Sequence, residues 1–307
     1  MNEISAVPCS LIAWAGWKTR IPEHWRPLRV ENQDAAGTFM IGDAAQATVQ
    51  VKWWTPDPKG FDGARWLEKR LRSFWKGARA EADAPAGDRF DQTLWLPEAR
   101  TRKGAKASVW YGYSAGAQLL IEVVVNSGAG PDVKQLAETI LLPSLNVSDR
   151  TAPIRWAVYD TSFESPPGYV IDESRLNLGA ISLVLKQGKQ QLMVCQIYPG
   201  GAALEKAPLL EWLGTTALKS KRKSTPIDGA GEVKIDSFKG LKRESTERLP
   251  FPLGRIEPLH CLAMIAHDET LDRLLLAEHI SPVWTEEGLV SEAIRAMNWT
   301  QRDPAGP

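Results

Sequence analysis

The chain has 307 residues, 43% of them hydrophobic and 24% charged, and its 37 Lys plus Arg balance 37 Asp plus Glu. That length gives room for two domains of ordinary size, each with its own core. A formal net charge of zero excludes a general polyanion binder, which needs a basic excess to displace counterions from phosphates, and equally a strongly acidic solvating protein.

Three cysteines, Cys9, Cys195 and Cys261, are odd in number, far apart and without a C-x-x-C pair. Neither a disulfide framework nor a zinc ribbon is indicated, and a reducing compartment fits. The opening residues lack a basic start followed by an apolar signal-peptide core, and no apolar run reaches transmembrane length. A cytoplasmic protein is expected.

Along the chain, "SLIAWAGW" alternates apolar and polar residues and reads as a first strand. "GTFMIGD" and "ATVQVKWW" are two more strands around a turn at Gly42 and Asp43. In "FDGARWLEKRLRSFWKGA" the period changes: Leu67, Leu71, Phe74, Trp75 and Ala78 share one helical face, with Asp62 placed to cap it. "RFDQTLWLPE" and "ASVWYGYSAGAQLLIEVVVNS" return to strands, the latter a hairpin turning at Ser114 to Ala117. "PDVKQLAETILLPSL" closes with a helix carrying Val133, Leu136, Ala137, Ile140 and Leu141 on one stripe.

The same order then recurs. Shifted by 144 residues, Pro22 falls on Pro166, Trp25 on Tyr169, Phe39 on Leu183, Val51 on Cys195 and Trp53 on Ile197. "IAWAGW" (12–17) matches "IRWAVY" (154–159) after a two-residue insertion, and "QLLIEVVVNS" (118–127) matches "RLLLAEHISP" (273–282). Strands are expected near 154–160, 178–186 and 190–198, and a helix over 206–218. Strands near 231–238 and 241–248, a hairpin 259–266/273–280 and a helix after Thr285 complete the half. The expected fold class is α+β: two tandem α/β/α sandwich units, 1–148 and 149–307, each a mainly antiparallel sheet covered by two helices.

This element order, with the opening P-x-x-[WY] of Pro22/Trp25 and Pro166/Tyr169 before a strand pair, resembles the PsbP-like superfamily. That group includes the photosystem PsbP proteins, the Ran-binding Mog proteins and the bacterial DcrB-type lipoproteins. The resemblance covers both halves and implies a non-enzymatic binding or assembly factor whose partner is another protein. The chain departs from the PsbP and DcrB patterns in having no lipobox or export signal, and no functional residue carries over.

For catalysis the residues offer little. A hairpin centred near Glu269–Thr270 would set His260 across from His279, candidates with His267 for a hydrolase or metal-dependent enzyme. Two imidazoles do not close a zinc site, and a His267–Asp268 dyad at the turn lacks a nearby nucleophile. No catalytic Ser, P-loop or dinucleotide motif occurs, and "YPGGAALEK" reads as an ordinary strand-to-helix turn, so no cofactor is expected. Lys219, Lys221, Arg222 and Lys223 form a basic run that offers an anionic partner a patch, though no aromatic interleaves to stack bases. Thirteen tryptophans are the unusual count. In "VKWWTPDP", Trp53 and Trp54 point to opposite sheet faces, so Trp53, Trp54 and Trp66 are the candidate partner-binding residues.

Overall fold

Strands form wherever apolar residues alternate, and they dominate the computed structural model. It describes residues 7–33, 35–43, 47–57, 59–74, 85, 90–100, 104, 106–126, 131–177, 179–216, 230–250 and 256–297. The chain divides into two compact units, Met1–Tyr159 and Asp160–Pro307.

The first unit contains β1 (Cys9–Trp14), β2 (Trp17–Pro22), β3 (Arg26–Gln33), β4 (Ala36–Gly42), β5 (Ala47–Trp54), α1 (Gly63–Phe74), β6 (Gln92–Arg100), β7 (Lys106–Ser114) and β8 (Leu119–Asn126). It ends with α2 (Pro131–Leu136), a π-helical turn (Ala137–Leu141), α3 (Leu142–Ser144), β9 (Asn146–Val147) and β10 (Ile154–Val158). Six strands make an antiparallel sheet in the order β3-β4-β5-β8-β7-β6. A separate small sheet runs β10-β1-β2-β9, its central hairpin turning through Ala15 and Gly16 at φ 48° and 87°. Two consecutive left-handed residues match the twist of paired strands, and glycine takes the second without a steric cost.

Each face of the six-stranded sheet has its own cover. On one, Asp62 Oδ1 accepts the Arg65 N–H at 3.0 Å and starts α1, which lays Leu67 on Leu96, Ala99, Ala107, Val109 and Tyr111. On the other, Phe39 meets Trp14 and Trp17 edge-on at 5.2 and 5.6 Å, and Trp17 lies 6.1 Å from Trp53. The helical segment 131–144 also packs on this small sheet. Thr19 Oγ1 donates to the Leu141 carbonyl at 2.6 Å, and Ser144 Oγ accepts the Arg20 N–H at 2.8 Å. The segment is not one regular helix, because Pro143 has no N–H and its ring crowds the carbonyl four residues back. The chain widens to a π turn just before it, closed by the Leu142 N–H on the Ala137 carbonyl.

The second unit contains β11 (Thr161–Ser165), β12 (Val170–Asn177), β13 (Ala180–Gln187), β14 (Gln190–Ile197), α4 (Gly200–Lys206), α5 (Leu209–Thr216), β15 (Ala230–Ile235), β16 (Phe238–Pro250), β17 (Ile256–Asp268), β18 (Arg273–Ser281) and α6 (Glu287–Met297). Its antiparallel sheet runs β12-β13-β14-β18-β17-β16-β15. Under α5, Leu213 packs against Val184, Met193, Cys195, Ala263, Ile265 and Leu276. Val290, Ala293, Ile294 and Met297 of α6 are buried, and α6 packs on β11, β17 and β18.

The expected pair of α/β/α sandwiches is therefore corrected. Among the described residues strands take 55% and helices 21%, in three sheets. The physical reason lies in β1 and β2. Their large buried aromatics, Trp14 and Trp17, pack edge-on or tilted against Phe39 and Trp53 of the main sheet of the first unit, so the hairpin becomes a second sheet layer where a helix was expected. The expected boundary at 148/149 also differs from the division at 159/160, because β10 pairs with β1 through Ala13 and Ala157.

Phe39 is fully buried between two indoles. Phe39→Ala should lower the unfolding free energy by about 3–5 kcal/mol in urea titrations, and a loss below about 1 kcal/mol would show that the small sheet contributes little to the core.

Candidate functional site

Beneath α1, one row of residues crosses the six-stranded sheet: Thr38, Lys52, Glu122 and Tyr111 on adjacent strands. Glu122 is 1% exposed, in the middle of the apolar strand β8. Lys52 Nζ donates to its Oε1 at 2.8 Å, and Arg70 Nη2 and Nε, from α1, donate to its Oε2 at 3.0 and 3.3 Å. Burial alone would raise the Glu122 pKa. The Lys52 charge, hydrogen bonds from Lys52 and Tyr111, and the Arg70 charge outweigh it and hold the carboxyl below its usual range.

The carboxylate also positions the aromatic surface. Arg70 Cζ lies 5.8 Å from the Trp54 ring centre and 5.6 Å from that of Trp66, and the two indoles are 5.9 Å apart. Trp66 in turn meets the buried Tyr111 edge-on at 5.9 Å. A guanidinium over two indole faces is attracted by their quadrupoles, and Glu122 fixes its orientation.

In the second unit the corresponding row beneath its helix is Ser182, Cys195, Leu276 and Ile265, capped by Leu213. It contains no charge. The gap-free offset of 144 holds for β4 and β13 but fails by one residue at β5 and β14. Val51 pairs with Phe39 on the small-sheet face, whereas Cys195 packs under α5. One more residue separates Phe39 from its partner Val51 than separates Leu183 from its partner Val194, and the register shift between Ile41 and Gly42 takes it up. A slip of one reverses every side chain.

The residues singled out from the sequence scatter. Trp53 is 3% exposed and packs on Trp17, so it belongs to the core and not to a partner surface. Trp54 and Trp66 are half-buried and adjacent. His260 does not sit opposite His279: the β17–β18 register pairs His260 with Ser281 and His279 with Leu262, because the turn centres one residue later than expected. Lys219, Lys221, Arg222 and Lys223, together with Trp75 and Ala78, lie outside the described residues. The sequence reading passed over Glu122, although a single acid in "LLIEVVV" was a visible signal, and it passed over Val283 and Trp284, which are 66% and 65% exposed.

His279 is 1% exposed, and both its nitrogens are engaged within the fold. Nδ1 accepts the Glu286 N–H at 3.2 Å, so the ring proton sits on Nε2, 3.3 Å from the Tyr169 hydroxyl, which donates to Gln190. Burial lowers the His279 pKa, with the Glu286 charge opposing, and raises that of Tyr169 to about 12. This ring is a structural connector between β18 and the start of α6. Burial likewise pushes the Cys195 thiol to about 12, far from a reactive thiolate. Among the described residues, no group of three or more His, Cys, Asp or Glu is placed to hold a metal ion.

No protein-family model and no curated protein sequence matches the chain. No helix among the described residues is long and apolar enough to cross a membrane.

Two outcomes follow from these clusters. Glu122→Leu alone should cost about 1–3 kcal/mol, since the partly exposed Lys52 and Arg70 lose their buried partner, whereas Lys52→Met/Arg70→Leu/Glu122→Leu should be neutral to stabilising. Because the folded Glu122 pKa is depressed, its contribution is complete above about pH 4.5 and is lost as the pH falls through the folded value. Urea midpoints from pH 6 to pH 2.5 should therefore fall more steeply for the native chain than for the triple variant; parallel curves would sink this account. The lowered His279 pKa acts at higher pH. The unfolded chain takes up the proton first, so stability drops as the pH falls below 6.5. His279→Gln should flatten that slope between pH 7 and pH 5, and an unchanged slope would assign the drop to other groups.

Proposed function

We propose that the chain is a non-enzymatic binding or assembly protein that engages another protein through the Trp54–Trp66–Arg70 surface of its first unit. The carrying observation is the contrast between the two rows beneath the helices. Cys195, Leu276, Ile265 and Leu213 close this position with apolar contacts alone, so the fold does not require a charge there. Burying Glu122 beneath the partly exposed Lys52 and Arg70, in place of apolar side chains, brings little stability of its own. What it brings is a guanidinium held rigid between two indoles at the surface. Trp, Tyr and Arg are the residues that dominate interface energetics, and a rotamer fixed beforehand loses less entropy on binding.

The resemblance to the PsbP-like superfamily agrees with this reading, and the equal strand orders β3-β4-β5-β8-β7-β6 and β12-β13-β14-β18-β17-β16 favour an origin by duplication. Three free thiols, two of them buried, favour the cytoplasm. Hydrolytic or metal chemistry at His260 and His279 is less favoured, because the His279 nitrogens already serve Glu286 and Tyr169.

The test is affinity capture from native lysate with the intact chain and with Trp66→Ala, Arg70→Met and Trp53→Ala. Trp66→Ala and Arg70→Met should lose the captured protein while far-ultraviolet circular dichroism is unchanged. Trp53→Ala should instead lower stability by about 3–5 kcal/mol. Capture that survives both surface substitutions would refute the assignment.

A further inference from the structure

Charge is balanced over the whole chain but not around the two indoles. Between Lys52 and Arg72 six Lys and Arg outweigh three Asp and Glu, in a molecule whose formal net charge is zero. The helix then sorts its charges by flank. Residues three and four apart share a side, so Trp66, Lys69 and Arg70 lie together on the flank where Arg70 meets Trp54. Glu68, the one acid of α1, is on the opposite flank beside Gln92 and Leu94, and it pairs with Arg72. Under the indoles Glu122 is only 1% exposed, whereas the Lys52 and Arg70 side chains that bind it are 27% and 20% exposed, and Lys69 is exposed. The anion of the cluster is turned inward and its cations outward. The strands beside it form a floor. Met40, Gln50 and Lys52 share one face of β4 and β5 and are half-buried, whereas their counterparts Val184, Met193 and Cys195 in the second unit are buried.

We propose that the protein engaged at Trp54, Trp66 and Arg70 presents an acidic segment, its carboxylates meeting Lys52, Lys69 and Arg70 and an apolar side chain resting on the indoles and Met40. This rests on the reading of that surface as protein-binding and adds the chemistry of the partner. Charge complementarity selects the occupant: a basic segment would meet like charge, whereas an acidic one is drawn in from a distance. A single strand of nucleic acid is drawn by the same cations but needs ring faces on which to stack its bases. Here the indoles are tilted by 52° with centres 5.9 Å apart and Arg70 lies over both, so the space between them is filled. A carboxylate needs no ring face. It accepts charge-assisted hydrogen bonds from ammonium and guanidinium groups, and Glu122 already holds two of these in place.

The probe is a phage-displayed library of random dodecapeptides selected against the full chain, with Lys69→Glu, Lys206→Glu and Trp66→Ala compared. Lys69 and Lys206 are both exposed, so the two reversals change the net charge equally without touching a core, and only the first lies beside the indoles. Enriched peptides should carry an excess of Asp and Glu around a Leu or an aromatic residue. They should bind Lys69→Glu about fivefold or more weakly and Lys206→Glu as tightly as the native chain, lose affinity as salt rises, and fail to bind Trp66→Ala. Absence of enrichment, peptides without an acidic excess, or indifference to Lys69→Glu would overturn the proposal, and Trp66-dependent capture from lysate would still stand. Acidic peptides that bind Trp66→Ala unchanged would overturn it too, because the charges would then act apart from the indoles. Decathymidylate bound more tightly than any selected peptide would overturn it in favour of single-stranded nucleic acid.

Discussion

A β-sheet whose strands carry apolar residues on both faces must find two covers, because successive side chains leave the strand in opposite directions. In the first unit this requirement sets the rest. Val109 and Leu96 face α1, while Phe39, Val51, Trp53 and Trp110 face away from it, and Trp14 and Trp17 of the small sheet close over Phe39 and Trp53. Trp54 then has no choice of face. Its neighbour is committed to the core, so its own ring is delivered to the α1 side, next to Trp66 and Arg70.

The same geometry explains why Glu122 can be buried at all. A lone carboxylate in an apolar strand would be costly, yet it meets Lys52 from the neighbouring strand, Tyr111 from the strand on its other side and Arg70 from above. Three elements must be in register for that to happen. The cluster therefore reports on the correct pairing of β5, β8 and β7 and the seating of α1 at once. Its counterpart in the second unit achieves closure with dispersion and hydrophobic burial alone, which tolerates small displacements better than a hydrogen-bonded network does.

Much of the strand content was legible in the sequence, because period-two alternation is a local property. The opposed directions of Trp53 and Trp54 came from that alternation. What was not legible depended on distant partners. Nothing in "SLIAWAGW" says that its strand pairs with Val147 and Ala157 neighbourhoods instead of joining the main sheet. The β5–β14 slip turned on loop lengths and a bulge, which identity of residue classes does not record. The His260–His279 pairing failed for the same reason, a turn centre displaced by one residue, since Asp268 and Arg273 close the hairpin with a buried ion pair at 3.0 Å. The role of Glu122 was not legible either, because a lone acid in "LLIEVVV" demands buried partners without naming them, and Lys52 and Arg70 lie 70 and 52 residues away.

The contrast between the units bears on where a binding role can evolve. A sheet with one helix and one further layer has a place that packing alone does not settle, the row beneath the helix. In the second unit it is closed by Leu276 and Ile265. In the first unit the row holds an organised charge with two indoles at its rim. Apolar closure maximises burial. Filling the row with an ion cluster instead, over a core that includes Trp14, Trp17, Phe39 and Trp110, leaves the surface above it seated on close-packed side chains. A rigid foundation under a small unsatisfied surface is what lets that surface select a partner, because little of the contact energy is then consumed in ordering it.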